Sequence, residues 1–152
     1  MTSGERLADF SRAVRDSTLK RLRKVHPGDE EWRPAPDALA FVDIARHLVD
    51  ADLWILEYLR GKSAARAVIS PGMARGFEWT PLLSRLVELR EERAGRLESM
   101  SEDQLQATVI EPQVLGETTY WWLVLRGNLD HEIHHRGALQ LALRLRYPTE
   151  GR

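Results

Sequence analysis

Three of the five histidines in this chain lie within five consecutive positions, in the segment DHEIHHRGALQ, residues 130–140. His131 and His135 are four residues apart, and an α-helix places two such side chains about 40° apart on one face, one turn from each other. Two imidazoles at this spacing can reach one metal ion at about 2.0–2.1 Å. Inside the protein, each would otherwise need its own hydrogen-bond partner. The pair is therefore a candidate metal site.

A second segment supplies a third candidate ligand. In FVDIARHLVDADLWILEYL, residues 41–59, His47 shares a mostly apolar helical face and is expected to point inward. One imidazole from this helix and two from the C-terminal helix would leave further coordination positions open, which is typical of catalytic zinc sites. Asp43 and Asp50 are candidates to orient an imidazole. The alternative, that both are carboxylates at the edge of a solvated face, stays open.

Four segments with helical periodicity must position these side chains. They cover about 5–24, 38–59, 80–100 and 118–146, with long connections after the first two. Thr80-Pro81 has the pattern of an N-cap followed by the first helical residue, and 101–104 has the spacing of a capping box that opens one short helix. No alternating strand pattern is evident. We predict an all-α four-helix bundle with long connections, forming a single domain over residues 1–152.

Composition limits the classes of function. The chain has no cysteine, so it has no disulfide, no cysteine-bound zinc and no thiol nucleophile of its own. The formal net charge is −1, without the basic excess typical of nucleic-acid-binding domains, and we predict that nucleic acid is not a partner. No apolar run approaches the roughly 20 residues that span a bilayer, which predicts no membrane partner. The charged, amphipathic N-terminus is unlike a signal peptide, and a cytoplasmic location is expected.

Several motifs, in order, resemble the DinB/YfiT-like superfamily. They are WRPAPDALAFVDIARHLVDADLW at 32–54, SEDQLQATVIEP at 101–112 and ETTYWWLVLRGNLDHEIHHRGALQLALRL at 117–145. The resemblance covers about residues 3–147 and places the family's three metal ligands on His47, His131 and His135. It implies a four-helix bundle with non-sequential, left-handed connectivity. The chain departs from the pattern at Ala138, where the family usually has glutamine, and it lacks an evident serine or threonine at 37–39.

The resemblance also implies a function. It favours a divalent-metal-dependent enzyme acting on small molecules, with transfer or isomerisation reactions that involve low-molecular-weight thiols such as mycothiol, bacillithiol or glutathione. Zinc or nickel is the expected metal, and three-histidine sites also accept cobalt, copper or iron. Because the chain has no cysteine, the thiol would have to come from a cofactor or substrate. A hydrolase that uses water at the same metal is a variant of this interpretation. The alternative is a non-catalytic helical bundle that binds a metal or another ligand.

Residues 131–135 also match HExxH, the zinc-peptidase signature, in which Glu132 would be the general base. The context argues against a peptidase. No histidine or aspartate follows His135 to supply a third ligand, and no edge strand is evident to hold an extended peptide. Glu132 is expected near the boundary of the core face, in a surface ion pair.

The C-terminal helix carries a second apolar stripe on its other side. A bundle helix does not need two buried faces, so this stripe is predicted to form a homodimer interface or to lie under a long loop. Its members are Trp122, Leu125, Leu129 and Ile133.

Overall fold

The computed structural model describes residues 1–150, and it is an all-α four-helix bundle, as the sequence predicts. The first three long helices are α1 (Ser3–Leu22), α2 (Phe41–Leu59) and α3 (Trp79–Glu98). The fourth is a helical run made of α5 (Tyr120–Val124), a π-helical segment (Leu125–Leu129) and α6 (Asp130–Arg146). A short α4 (Glu102–Gln106) and a β-hairpin connect α3 to this run.

Of the two helix starts predicted from capping signals, one is found in the structure and the other is not. The capping box at α4 is confirmed, because the Ser101 hydroxyl accepts from the Gln104 amide and the Gln104 side chain accepts from the Ser101 amide. The predicted N-cap at Thr80 is wrong. A 3₁₀ turn at Gly76–Glu78 leads directly into α3, so the helix begins at Trp79 and Thr80 lies within it. Proline is tolerated at position 81 because amides of the first helical turn have no acceptor within the helix.

The hairpin was not evident from the sequence. Strands β1 (Thr108–Glu111) and β2 (Gly116–Thr119) pair antiparallel, with Thr108 opposite Thr119 and Glu111 opposite Gly116. At four residues each, they are too short for alternating hydropathy to stand out. The turn depends on the buried Glu111 carboxylate, which accepts hydrogen bonds from the backbone amides of residues 113, 114 and 115.

Two apolar clusters fill the bundle, and a buried network of charged side chains joins all four long helices. Arg15 of α1 and Arg93 of α3 are fully buried, as are Asp52 of α2 and Glu132 of α6 to within 1%. Two guanidinium groups and two carboxylates therefore balance one another inside the protein. Buried charges are tolerated only when they are paired and hydrogen-bonded in this way.

Glu132 is the centre of this network, which corrects the prediction of a surface position. Its carboxylate accepts from Arg15 Nε at 3.0 Å, Arg93 Nη1 at 2.9 Å and Thr18 Oγ1 at 2.7 Å. The buried face of α6 is centred on Glu132, Leu139 and Leu143, and His131 and His135 lie at its edge, partly buried. The sequence-based face of α6 was placed by counting apolar residues alone. It is misplaced because the central contact of the buried face is an ionised carboxylate.

The predicted dimer stripe is not one exposed surface. Leu129 is fully buried in the bundle, and Leu125 and Ile133 are partly buried, whereas 52% of Trp122 is exposed. Leu129 therefore cannot belong to an interface with a second copy. A π-helical turn bonds i to i+5, so residues on its two sides do not keep the α-helical register from which the stripe was inferred.

Among residues 1–150, no helix combines the length and the apolar character needed to cross a membrane. The two 20-residue helices, α1 and α3, each carry eight charged side chains.

Candidate metal centre

The three histidines singled out from the sequence lie together. His47 is in the middle of α2, and His131 and His135 are in the first two turns of α6, directly after the π-helical segment. The Nε2 atom of His131 is 2.8 Å from that of His47 and 3.1 Å from that of His135. The three candidate ligand atoms all lie within 4.8 Å of one another. These side chains could hold one metal ion.

The closeness of the nitrogen atoms favours an ion between them. An imidazole Nε2 either donates one proton or accepts through one lone pair. His131 Nε2 makes two short contacts with other Nε2 atoms, and one hydrogen bond cannot satisfy both. Nitrogens bound to one ion at about 2.1 Å lie about 3.0 Å apart at octahedral angles and about 3.4 Å apart at tetrahedral angles. The separations of 2.8 and 3.1 Å are close to these values, so the donor set fits a divalent ion.

The electrostatics keep the imidazoles neutral. Burial, then the neighbouring charges of His135 and His47, lowers the pKa of His131 to about 3. Burial, then His47, lowers the pKa of His135 to about 4. Burial lowers the pKa of His47 as well, against the opposing charge of Asp50. A neutral imidazole is the form that binds a metal, so the site is prepared for a cation at neutral pH.

Neither predicted orienting carboxylate holds an imidazole. Asp43 accepts from the backbone amides of Ala40, Gly72 and Ala74, so it fastens the start of α2 to the long connection before α3. Asp50 forms an ion pair with Arg46 at 3.5 Å and contributes only its charge to the site. Among residues 1–150, the buried Nδ1 atoms of His47 and His131 have no hydrogen-bond partner.

His134 lies outside the ligand cluster. Its side chain is exposed, and its ring packs against His135 with centroids 5.2 Å apart. Its charge contributes to the low pKa of His135. Adjacent histidines on this helix therefore differ in role, and His134 provides a surface control for His131 and His135.

A cavity of about 10 Å³ adjoins the histidines, close to the smallest volume that holds one water molecule. Arg66 lies in its wall, and the sequence did not single this residue out. Its guanidinium stacks over Trp54 at 4.1 Å, and Nη2 donates to the Gly127 carbonyl at 2.6 Å. Its Nε is buried without a partner among residues 1–150. A connection without periodicity carries no signal from which such a residue could be found.

Gly127 allows this wall to close. A Cβ atom at this position would lie 3.0 Å from Trp54 Cη2 and 3.3 Å from Arg66 Nη2. Gly127 lies within the π-helical segment, and such segments are frequent at functional sites. The segment thus brings backbone, indole and guanidinium together just before His131.

The family model for the DinB superfamily matches residues 11–139, which include all three clustered histidines. The chain belongs to the DinB superfamily. The resemblance seen in the sequence is confirmed.

Two solved structures support the DinB-like fold. A DinB-like protein of Bacillus subtilis, YjoA, has a TM-score of 0.70 at 19% identity, over 95% of this chain and 94% of that one. The colibactin self-resistance protein ClbS, solved in complex with double-stranded DNA, has a TM-score of 0.65 at 15% identity, over 95% and 96%. A search of curated proteins finds no match.

The ClbS complex corrects one prediction for this DinB-family chain. The sequence-based exclusion of nucleic acid as a partner is wrong, because a protein of similar fold is found in complex with duplex DNA. The exclusion was drawn from the net charge. A net charge averages over the whole surface and does not exclude a local cationic region.

The HExxH match does not describe how this DinB-family site is built. The Glu132 carboxylate faces the Arg15 and Arg93 guanidinium groups in the core, and these partners lower its pKa to about 2 against the opposing effect of burial. A general base needs to reach the reacting water. Glu132 is instead held away from the histidine cluster by its partners.

Proposed function

We propose that this DinB-family protein holds one divalent metal ion on His47, His131 and His135 and acts with it as an enzyme on a small molecule. Zinc or nickel is the proposed metal. The proposed reaction is the transfer of a low-molecular-weight thiol to an electrophile, or an isomerisation that uses such a thiol as cosubstrate. The convergence of three Nε2 atoms from α2 and α6, with separations of 2.8 and 3.1 Å, is the observation that carries the proposal.

The ligand chemistry supports catalysis over a purely structural site. A divalent ion held by these three neutral imidazoles would supply Lewis acidity and would lower the pKa of a bound thiol or water. The chain contributes the environment. Trp54 is buried beside the cavity, and Arg66 favours an anionic group there. Because the chain has no cysteine, the thiol has to be supplied as a cosubstrate.

A groove beside the small cavity gives the proposed substrate a route to the histidines. The small cavity at the histidines is lined on one side by Asp50, which also lines a wider groove of about 510 Å³ between α2 and α3. Leu53, Phe77 and Leu82 give this groove apolar walls, and Arg46 and Arg85 lie at its border. A small molecule with an apolar body fits such a groove, with its reacting group directed past Asp50.

Elemental analysis of the purified, tag-free protein tests the metal site. We expect near-stoichiometric divalent metal in the parent and in His134→Ala, whose side chain is exposed, and loss of metal in His47→Ala and His131→Ala. Absence of metal from the parent, after reconstitution with zinc and with nickel, would overturn the proposal.

A screen of the metal-loaded protein tests the reaction class. Mycothiol, bacillithiol and glutathione are each offered with a panel of electrophiles, and thiol consumption is measured. Metal-dependent turnover that His131→Ala abolishes supports the enzyme. Stoichiometric metal without turnover by any pair would instead support the non-catalytic binding bundle.

A further inference from the structure

A groove between α1 and α6 is lined almost entirely by cations. Its volume is about 280 Å³, and among residues 1–150 no carboxylate lines it. Those residues are Lys20, Arg21, Lys24, Gln140 and Arg144. The groove shares no residue with the histidine cluster or with the cavity beside it. A function for it is therefore separate from the proposed metal chemistry.

One of these cations is fixed in place. Arg21 Nε donates to Gln140 Oε1 at 3.0 Å, and its Nη1 donates to Ser17 Oγ at 2.6 Å. Burial, then the charge of Arg136, lowers the pKa of Arg21. Arg136 on α6 therefore adds a fifth positive charge to the neighbourhood. Hydrogen bonds to Ser17 and Gln140 hold the Arg21 guanidinium among these like charges.

The remaining cations lack internal counter-charges. Among residues 1–150, no carboxylate lies within 4.0 Å of the side-chain nitrogens of Lys20, Lys24, Arg136 or Arg144. In the same part of the chain, ten other arginines do form ion pairs within 4.0 Å. A group of unpaired like charges raises the local potential and attracts an anion from solution.

The spacing indicates an extended anion. Arg136 and Arg144 are eight residues apart on α6, a distance of about 12 Å along the helix, and Lys20 and Lys24 are one turn apart on α1. One isolated phosphate cannot contact all of them. A nucleic-acid strand in a duplex carries a phosphate about every 3.4 Å along the axis, and several of its phosphates fit this span.

We propose that this α1–α6 groove binds the sugar–phosphate backbone of a nucleic-acid duplex. Contacts to phosphate do not read bases, so the binding is independent of sequence. Salt weakens it, because each neutralised phosphate releases counterions: log K falls with log salt at a slope of about −0.9 per contact. Four contacts give a slope of about −4.

Fluorescence anisotropy with labelled DNA duplexes of two unrelated sequences, between about 50 and 200 mM salt, tests the proposal. We expect similar affinity for both. The triple variant Lys20→Glu/Lys24→Glu/Arg144→Glu should lose at least tenfold in affinity. Its slope of log K against log salt should be shallower than that of the parent by about 3. The matched control Arg60→Glu/Lys62→Glu/Arg126→Glu makes the same net charge change at exposed positions elsewhere and should retain binding.

Two results would overturn the proposal. They are no duplex binding by the parent at the lowest salt, whether or not inorganic polyphosphate binds, and equal loss of binding in the control. Metal content and circular dichroism of the triple variant are expected to match the parent. If the triple variant is unfolded, Lys20→Gln/Lys24→Gln, which changes only surface lysines, is used and should reduce the slope by about 2.

Discussion

His131 and Glu132 are consecutive in the chain and serve two different structures. His131 Nε2 lies 2.8 Å from His47 Nε2 at the edge of the bundle, whereas the Glu132 carboxylate accepts hydrogen bonds from Arg15 and Thr18 in the core. Successive helical residues point about 100° apart, so one turn of α6 can serve both. The buried network thus fixes the helix that presents the candidate metal ligands.

Glu132→Gln is expected to destabilise the protein strongly. The substitution keeps the shape of the side chain but leaves Arg15 and Arg93 facing one carboxylate, that of Asp52. Breaking a buried ion pair costs about 3–5 kcal/mol in the free energy of unfolding, which urea titration measures. Asp130→Asn changes an exposed neighbour and should stay within about 0.5 kcal/mol. If Glu132→Gln proved as stable as the parent, the network would contribute little to stability.

The buried charged network is the part of the core that the sequence did not predict. The four long helices, the capping box at Ser101 and the grouping of the three histidines follow from helical periodicity and short-range signals. The inward position of Glu132 does not, because apolar periodicity has no place for a charge in the core. Its partners Arg15 and Arg93 are distant in the chain, and only the packing of three helices brings them together.

The contacts of side chains in irregular segments could not be predicted from the sequence for a different reason. Arg66 lies in a connection without periodicity, and its contacts with Trp54 and Gly127 depend on the path of that connection. The two strands are four residues long, so their pairing rests on the turn at Glu111 more than on side-chain alternation. These features depend on tertiary contacts that no local pattern encodes.

Two glycine substitutions should change stability in opposite directions. In Gly127→Ala, the new Cβ would lie 3.0 Å from Trp54 Cη2, so the wall of the cavity has to move, at a cost of about 1–3 kcal/mol. In Gly137→Ala, the new Cβ meets nothing within 4 Å on α6. Alanine should therefore stabilise that helix by about 0.5–1 kcal/mol. Urea denaturation of both variants measures the difference, and effects of the same sign would contradict the close approach at Gly127.

Glu111→Gln should lower stability in a way that depends on pH. Burial alone would raise the pKa of Glu111, but hydrogen bonds from the amides of Leu115, Gln113 and Val114 lower it overall. A carboxyl whose pKa is lower in the folded state stabilises the protein above its unfolded pKa, and this contribution is lost as pH falls through the folded pKa. The parent should therefore exceed the variant by about 1–3 kcal/mol at pH 7, with the gap closing below about pH 4.

The facing strand provides the control for this prediction. Glu117 is exposed on β2, opposite Ile110, and Glu117→Gln removes the same charge from the same hairpin. Its stability should follow the parent across the pH range. A constant gap for Glu111→Gln at all pH values would mean that the ionised carboxylate does not hold the turn.

Arg66→Gln should loosen the connection that covers the candidate metal centre. The guanidinium ties this connection to the Gly127 carbonyl and to the Trp54 ring, and the Trp54 indole N–H donates to the Ala64 carbonyl at 3.0 Å in the same connection. A hydrogen bond from a charged donor contributes about 1.5–3 kcal/mol, so solvent exchange of the Trp54 indole proton should quicken by about tenfold or more. The exchange is measured by NMR, with the signal assigned through Trp54→Phe. Arg60→Gln removes an exposed arginine that pairs with Glu57 and should leave the exchange unchanged. Equal protection in Arg66→Gln and the parent would mean that the connection is held over the histidines by other contacts.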